Sequence, residues 1–192
     1  MAGSDLQFDY TPSGIGALNA ARSSNEIARL AEGRDVIFVG TAGIFGPFAQ
    51  PSVYLTERVF WEPTCVRRGE AYTVKDSAPD HICRKPHPAF SQIPRCTVVC
   101  SPAISKVADL PRIVPDLNLN TTGKTQAAVE NLELYSVASE IERAARSFSV
   151  LMCTTNSVGP AAHDEWKANF SKAAQTTAAA VVNALRYKGG HA

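Results

Sequence analysis

Several things are missing or scarce in this sequence, and each absence removes a class of function. No apolar stretch approaches the roughly 20 residues needed to cross a bilayer, so no membrane helix is expected. The opening residues, MAGSDLQFDY, have neither the basic nor the apolar region of a secretory signal. Charge is sparse and balanced: 19% of residues are charged, 19 basic against 18 acidic, for a formal net charge of +1. There is no dense basic run, so neither nucleic acid nor a membrane surface is expected as a partner. Internal repeats and clear linkers are missing too. What remains is 192 residues, 45% of them apolar. That is enough for one domain over 1–192, burying roughly 70% of the surface that its unfolded chain exposes.

The cysteines, Cys65, Cys83, Cys96, Cys100 and Cys153, are odd in number, and several sit in apolar runs. They read as buried, reduced thiols of a cytoplasmic protein. Asp80, His81, Cys83 and His87 could be imagined as metal ligands. They lie among Pro79, Pro86 and Pro88 without a second cysteine at zinc spacing. The segment reads as a loop, and no metal or cofactor is expected.

Periodicity divides the chain. Leu6 to Tyr10 alternates and predicts a strand, followed by the glycine turn TPSGIG and a helix over Asn19 to Leu30 that stops at Gly33. DVIFVG, Asp35 to Gly40, is a continuous apolar run of strand length, typical of burial on both faces, with a glycine-rich turn after it. Ser52 to Trp61 predicts a longer strand, 62–93 an irregular excursion, Cys96 to Ser101 another buried strand, and Pro102 to Leu110 a short helix. PDLNLNTTGKTQ reads as loop. A helix over Leu132 to Arg146, with Glu130 and Glu133 as acids at its start, leads to the strand Phe148 to Thr155. A long helix from about Asp164 to Leu185 closes the chain. Its buried stripe is expected to be Trp166, Phe170, Ala173, Ala174, Ala178, Val181 and Leu185. Helices between buried strands predict an α/β domain with a mixed or largely parallel sheet.

Three short stretches invite a chemical reading. SGIGALNAA begins like a dinucleotide-binding loop, but Asn19 stands where a third glycine belongs, and Asp35 begins its strand instead of ending it. A tight strand-to-helix turn at Gly14 and Gly16 explains it, with the helix-start N–H groups able to touch a ligand. VGTAG, Val39 to Gly43, ends a strand in small residues, where open α/β sheets bind ligands. Asn156 ends another strand, where an amide offers a donor and an acceptor together.

SGIGALNAA, DVIFVGTAG, VENLE and TTNSVG with HDEW occur in this order. In that order they resemble the nucleoside phosphorylase/nucleosidase superfamily over most of Asp5 to Leu185, the 62–93 segment matching least. VENLE with TTNSVG looks closest to the futalosine hydrolase type, and the methylthioadenosine nucleosidases are a second comparison. The resemblance implies a phosphorylase-like three-layer α/β fold, a central mixed sheet flanked by helices. It implies that Glu133 grips the ribose hydroxyls, Leu132 packs on the sugar and Asn156 hydrogen-bonds the base, its amide suiting a 6-oxopurine. Thr41 and Gly43 would line the ribose or nucleophile side, and Ile104 the base. Breaking an N-ribosidic bond builds positive charge on the sugar and negative charge on the base, which a carboxylate and a donor would respectively stabilise.

Two departures shape the expectation. Where family phosphorylases carry a phosphate-binding arginine, this chain has Phe38, which favours hydrolysis over phosphorolysis. Family members also begin with a further strand segment, which in the hydrolases carries the water-activating glutamate, and neither Asp5 nor Asp9 sits in a matching motif. The expected function is hydrolysis of a purine-type nucleoside. A non-catalytic nucleoside-binding relative or interaction subunit is the alternative, and phosphorolysis a third. The partners expected are a small nucleoside or nucleobase and a second copy of the chain, which could cover an edge left exposed.

Overall fold

The computed structural model describes residues 6–72, 80–107 and 127–187. In chain order they form α1 (Ala17–Ala31), β1 (Asp35–Ile44), β2 (Val53–Trp61), α2 (Thr64–Arg67), β3 (His81–Ile82), a 3-10 turn (Pro88–Phe90), β4 (Arg95–Cys100), β5 (Ala127–Asn131), α3 (Tyr135–Ala144), β6 (Ser147–Ser157) and α4 (Ala162–Tyr187). The fold is α/β, with a mixed sheet between helical layers. No described helix is long and apolar enough to cross a membrane.

The sheet order is β3-β2-β4-β5-β1-β6, and β6 also pairs with β2, so five strands close on themselves. β6 is the axis of this arrangement. It runs parallel to β1 along its whole length and antiparallel to the start of β2, Val53 to Leu55. With strands on both edges and helices on both faces, its positions from Phe148 to Asn156 are all buried. That is the physical content of the continuous apolar run in the sequence. β2, β4 and β5 are mutually parallel.

One face of the sheet is covered by α1 and α3. Ala20, Ala31, Val137, Ala138 and Ile141 pack there against Val98, Phe148, Val150 and Met152. On the other face, Val181 of α4, with Leu185 beside it, closes on Phe90, Leu55 and Leu151. Burying a side chain of this size is worth about 1.5–3 kcal/mol. The described residues 81–85 of the 62–93 excursion are tied down by Glu142 of α3. Its Oε1 accepts from the N–H groups of Arg84 and Lys85, Lys85 Nζ donates to its main-chain oxygen (3.2 Å), and His81 Nε2 lies 3.0 Å from Oε2.

The structure corrects several expectations. Leu6 to Tyr10 is irregular, and Leu6, Phe8 and Tyr10 are 39%, 56% and 83% exposed. Alternation describes side chains only, and no described strand pairs with this segment to complete a ladder. β1 is not buried on both faces, and it does not turn at TAG. It continues to Ile44 with Val39 48% exposed, where a groove lies open between β1 and α4. The helix expected from Leu132 begins at Tyr135, and the residues before it form β5. Glu130 is therefore a buried strand residue and has no part in a helix start. No helix forms over 102–107, while 108–110 and the PDLNLNTTGKTQ segment lie outside the described residues. On α4 the buried face runs through Ala173, Thr177 and Val181, whereas Trp166, Phe170, Ala174 and Ala178 are exposed. Cys65 is exposed and Cys83 half-buried; only Cys96, Cys100 and Cys153 are buried.

Candidate functional site

The ends of β1, β5 and β6 meet at Gly43, whose register partners are Asn156 on one side and Glu130 on the other. β1 has an irregular register against β6 between Ala42 and Gly43. A Cβ on Gly43 would stand 2.8 Å from Asn156 Nδ2 and 3.1 Å from Val158 Cγ2. A side chain at this position would push the Asn156 amide aside.

Asn156 is buried. Its Oδ1 accepts from Thr155 Oγ1 at 2.8 Å, and its Nδ2 donates to the Ser157 carbonyl at 2.9 Å. One amide hydrogen remains for another acceptor. The strand end that carries it is stitched to α4: Glu165 Oε2 accepts from Ser157 N (2.7 Å), and Asn169 Nδ2 donates to the Thr155 carbonyl (3.1 Å).

Glu133 lies on the turn between β5 and α3. Its Oε1 accepts the Gly16 N–H at 2.8 Å, and its Oε2 accepts Asn131 Nδ2 at 2.9 Å. The N–H at the start of α1 thus serves the carboxylate. Each carboxylate oxygen keeps a further lone-pair direction, the number needed to receive two vicinal hydroxyls.

Asn131 organises this turn. Its Oδ1 accepts from the N–H groups of Glu133 (2.9 Å) and Leu134 (2.8 Å), and its Nδ2 also donates to the Thr41 carbonyl at 3.1 Å. One side chain therefore joins β5, β1 and the approach to α3. Thr41 Oγ1 accepts Trp166 Nε1 at 3.2 Å, which leaves the Thr41 hydroxyl proton free to point elsewhere. Trp166 is stacked between His163 and Phe170.

Glu130 belongs to a second, buried cluster. It accepts from Ser105 N at 3.0 Å and from Ser105 Oγ, and it lies 3.9 Å from Arg67 Nη2. Arg67 is also 3.5 Å from Glu62 Oε2, with its guanidinium over the Phe45 ring. Ion pairing and hydrogen bonding hold this carboxylate in place. Cys100, at the end of β4, is no nucleophile. Burial drives its thiol far above the ordinary range, and Glu133 and Glu130 push it the same way.

Of the residues singled out in the sequence, Thr41, Gly43, Glu133 and Asn156 are linked through β1 by these contacts. Leu132 is half-buried on the Glu133 turn. Ile104 is 52% exposed on the loop after β4, next to the Ser105 that holds Glu130. The imagined metal cluster is otherwise engaged: Asp80 pairs with Arg58, His81 with Glu142, and His87 Nδ1 accepts from Ala89 N. Among the described residues no three metal-ligating side chains converge. Sequence reasoning missed Asn131, Arg67 and Ser105; it placed Gly16 in a tight turn without pairing it with Glu133, and Trp166 in a buried stripe without pairing it with Thr41. Asn131 left a signal, since an asparagine readily forms a turn in which its side-chain oxygen accepts from N–H groups two and three residues on.

No family model matches the sequence. No curated protein matches it either. Solved structures do resemble it. The 5'-methylthioadenosine/S-adenosylhomocysteine nucleosidase of Helicobacter pylori superposes with a TM-score of 0.63 at 12% identity, over 90% of this chain and 77% of that one. Futalosine hydrolase from the same organism gives 0.61 at 13%, over 90% and 76%. The corresponding nucleosidase of Neisseria meningitidis gives 0.60 at 17%, over 91% and 79%. At these identities the likeness is one of fold.

Proposed function

We propose that the protein cleaves the N-ribosidic bond of a purine-type nucleoside with water, 6-oxopurines being favoured. The observation that carries this reading is the Gly43 junction. There Asn156, a buried amide with one unspent N–H, meets β1 from one side, and Glu133, a carboxylate with two unspent lone-pair directions, is tied to β1 from the other through Asn131 on the Thr41 carbonyl. The fold shared with nucleosidases supports it. Glu133 would accept the ribose hydroxyls and stabilise the positive charge that grows at the anomeric carbon. Asn156 would donate to the base edge, where a 6-oxopurine presents the acceptors O6 and N7 side by side. Thr41, with its oxygen occupied by Trp166, would offer its hydroxyl proton to the sugar or to the attacking water, Leu132 would pack on the sugar, and Ile104 on the base. In the reaction the C–N bond breaks with its electron pair leaving on the base, a water oxygen bonds to the anomeric carbon, and the proton that the water loses ends on the base.

The test is base release from inosine, guanosine, futalosine and methylthioadenosine, measured by chromatography with and without phosphate. Turnover that is independent of phosphate and is lost in Glu133→Ala is expected. A full panel left uncleaved would sink the hydrolase reading. Phosphate-dependent turnover would instead indicate phosphorolysis, for which Phe38, packed against the core, supplies no cation.

One observation favours a second reading, binding without turnover. The carboxylates around the junction, Glu130, Glu133 and Glu165, all already accept hydrogen bonds from protein donors. Calorimetry showing nucleoside binding that Glu133→Ala abolishes, with no product formed, would select it. In either reading we propose a cytoplasmic homodimer with no cofactor. The five unpaired cysteines support the reducing compartment.

A further inference from the structure

The side chain of Asn131 has no hydrogen-bonding capacity left for a ligand. An amide offers two acceptor directions and two donor hydrogens. Its Oδ1 takes the N–H groups of Glu133 and Leu134, and its Nδ2 gives one hydrogen to the Thr41 carbonyl and the other to Glu133 Oε2. The residue is buried at the end of β5, beside Cys100 of β4. Its effect on the site must pass through the groups that it holds.

The same contacts fix which way the amide points. Turned over, its oxygen would face the Thr41 carbonyl and the Glu133 carboxylate, and its nitrogen would face two N–H groups. All four contacts would then be repulsive, so the orientation is set by the surroundings. An aspartate would satisfy the turn, since one of its oxygens would accept the same two N–H groups. Its other oxygen would stand where Nδ2 now stands, 3.1 Å from the Thr41 carbonyl and 2.9 Å from Glu133 Oε2, acceptor against acceptor. The turn alone does not require asparagine. The donor facing Glu133 and Thr41 does.

Glu133 in turn depends on this donor. Among the described residues the donors at its carboxylate are neutral, the Gly16 N–H on Oε1 and the Asn131 amide on Oε2. Hydrogen bonds to an ionised acceptor are about twice as strong as neutral ones. Gly16 lies at the start of α1 and Asn131 closes β5, so each carboxylate oxygen is tied to a different element. Through the Thr41 carbonyl, Nδ2 also refers the carboxylate to β1, the strand whose Gly43 meets Asn156.

We infer that Asn131 is the positioning residue of the Glu133 carboxylate: it locks Oε2 against β1, and by doing so it sets the preference for ribose over 2'-deoxyribose. The second half rests on the nucleosidase reading, in which Glu133 takes two neighbouring hydroxyls; the first half does not. A sugar without its 2'-hydroxyl engages the carboxylate once and gains less from its being locked.

Asn131→Asp keeps the acceptor of the turn and removes the donor. In protein carrying nitrogen-15 glycine, the Gly16 amide signal reads the carboxylate with no ligand present, and Glu133→Ala identifies it among the 12 glycines. In Asn131→Asp that signal should move toward its Glu133→Ala position. Adding Glu133→Gln to Asn131→Asp again sets a donor against an acceptor, with the roles exchanged, and should bring the signal back. A Gly16 signal that stays at its parent position in Asn131→Asp overturns the inference. So does one that moves and does not return in the double variant, because the turn and not the donor was then lost.

Rates are compared for whichever ribonucleoside of the panel is cleaved and for its 2'-deoxy form. Asn131→Asp should lower kcat/KM about 10- to 100-fold for the ribonucleoside, as for a lost hydrogen bond to a charged group. The 2'-deoxy form should lose far less, so the ratio of the two falls about tenfold or more. A misfolded fraction lowers both rates alike, and an equal loss on both would make Asn131 merely structural and overturn the inference. If no nucleoside is cleaved, the nucleosidase reading falls and the Gly16 signal alone decides whether Asn131 positions Glu133.

Discussion

The amide of Asn156 occupies the space that a side chain on Gly43 would need, 2.8 Å from where a Cβ would stand. The two residues are strand neighbours, on β6 and β1. Gly43→Ala forces the amide aside and should destabilise the fold by about 1–3 kcal/mol, the range for overpacking. Nucleoside affinity should fall up to about tenfold, the worth of one neutral hydrogen bond. Urea melts and calorimetry read the two effects. Asn156→Ala made on top of Gly43→Ala should cost little more affinity, since both act on one contact.

Glu133→Gln keeps the size of the side chain and removes its charge. Gly16 N retains an acceptor, while Asn131 Nδ2 meets an amide that competes as a donor. Steady-state kinetics should show kcat/KM reduced about 10- to 100-fold, as for the loss of a hydrogen bond to a charged group. The melting transition should move only slightly.

Glu130→Gln separates structure from chemistry. The change leaves the buried Arg67 guanidinium with one carboxylate fewer. Disturbing a buried pair in this way costs about 3 kcal/mol, with Glu62 retaining part of the balance. Denaturant unfolding should show the loss, and KM for a cleaved nucleoside should stay near that of the parent.

Thiol labelling should follow burial. Cys65 is exposed, Cys83 is half-buried, and Cys96, Cys100 and Cys153 are buried. Burial pushes the Cys83 and Cys96 thiols up to about 12. A chromogenic disulfide reagent at mildly alkaline pH should therefore titrate one group quickly in the native protein, and all five after denaturation.

Asp35 gives a pH signature. Its hydrogen bonds from the Arg146 guanidinium, foremost, and from Ser147 hold the carboxyl at about 2, against an ordinary 3.8. A depressed carboxyl contributes stability that is present above its unfolded value and is lost as pH falls toward the folded one. The contribution should disappear between about pH 4 and pH 2. Asp35→Asn should show a shallower loss of stability across that window in urea melts.

The sequence was most legible where burial was symmetrical. β6 and β4 are covered on both faces, so their apolar runs could be read directly, and Asn156 could be seen as a strand end. It was least legible where long-range pairing overrides a local pattern. The Ala127 to Asn131 strand is made by β4 alongside it, and nothing in its own residues separates it from a helix start. Glu130 and Glu133 look alike in one dimension, yet one is sealed beside Arg67 and the other faces Gly16. The glycines of VGTAG suggested a turn. Their neighbours on β6 hold them extended, and the second glycine serves Asn156. The α4 stripe was half right, since helical spacing cannot say where the sheet beneath a helix ends.

The parallel pairing of β1 with β6 has a consequence for how the protein is made. The two strands lie far apart in the chain, and β6 supplies the long partner that β1 has along its length. During synthesis the first third of the protein must therefore wait, with an unpaired apolar strand, until β6 has left the ribosome. Contacts between such distant residues slow folding, because the closure entropy falls due before the ladder can return it. A nascent chain arrested before Ser147 should be protease-sensitive throughout β1. Protection should arrive only when residues through Ser157 are free, so the floor of the site and the fold itself appear together.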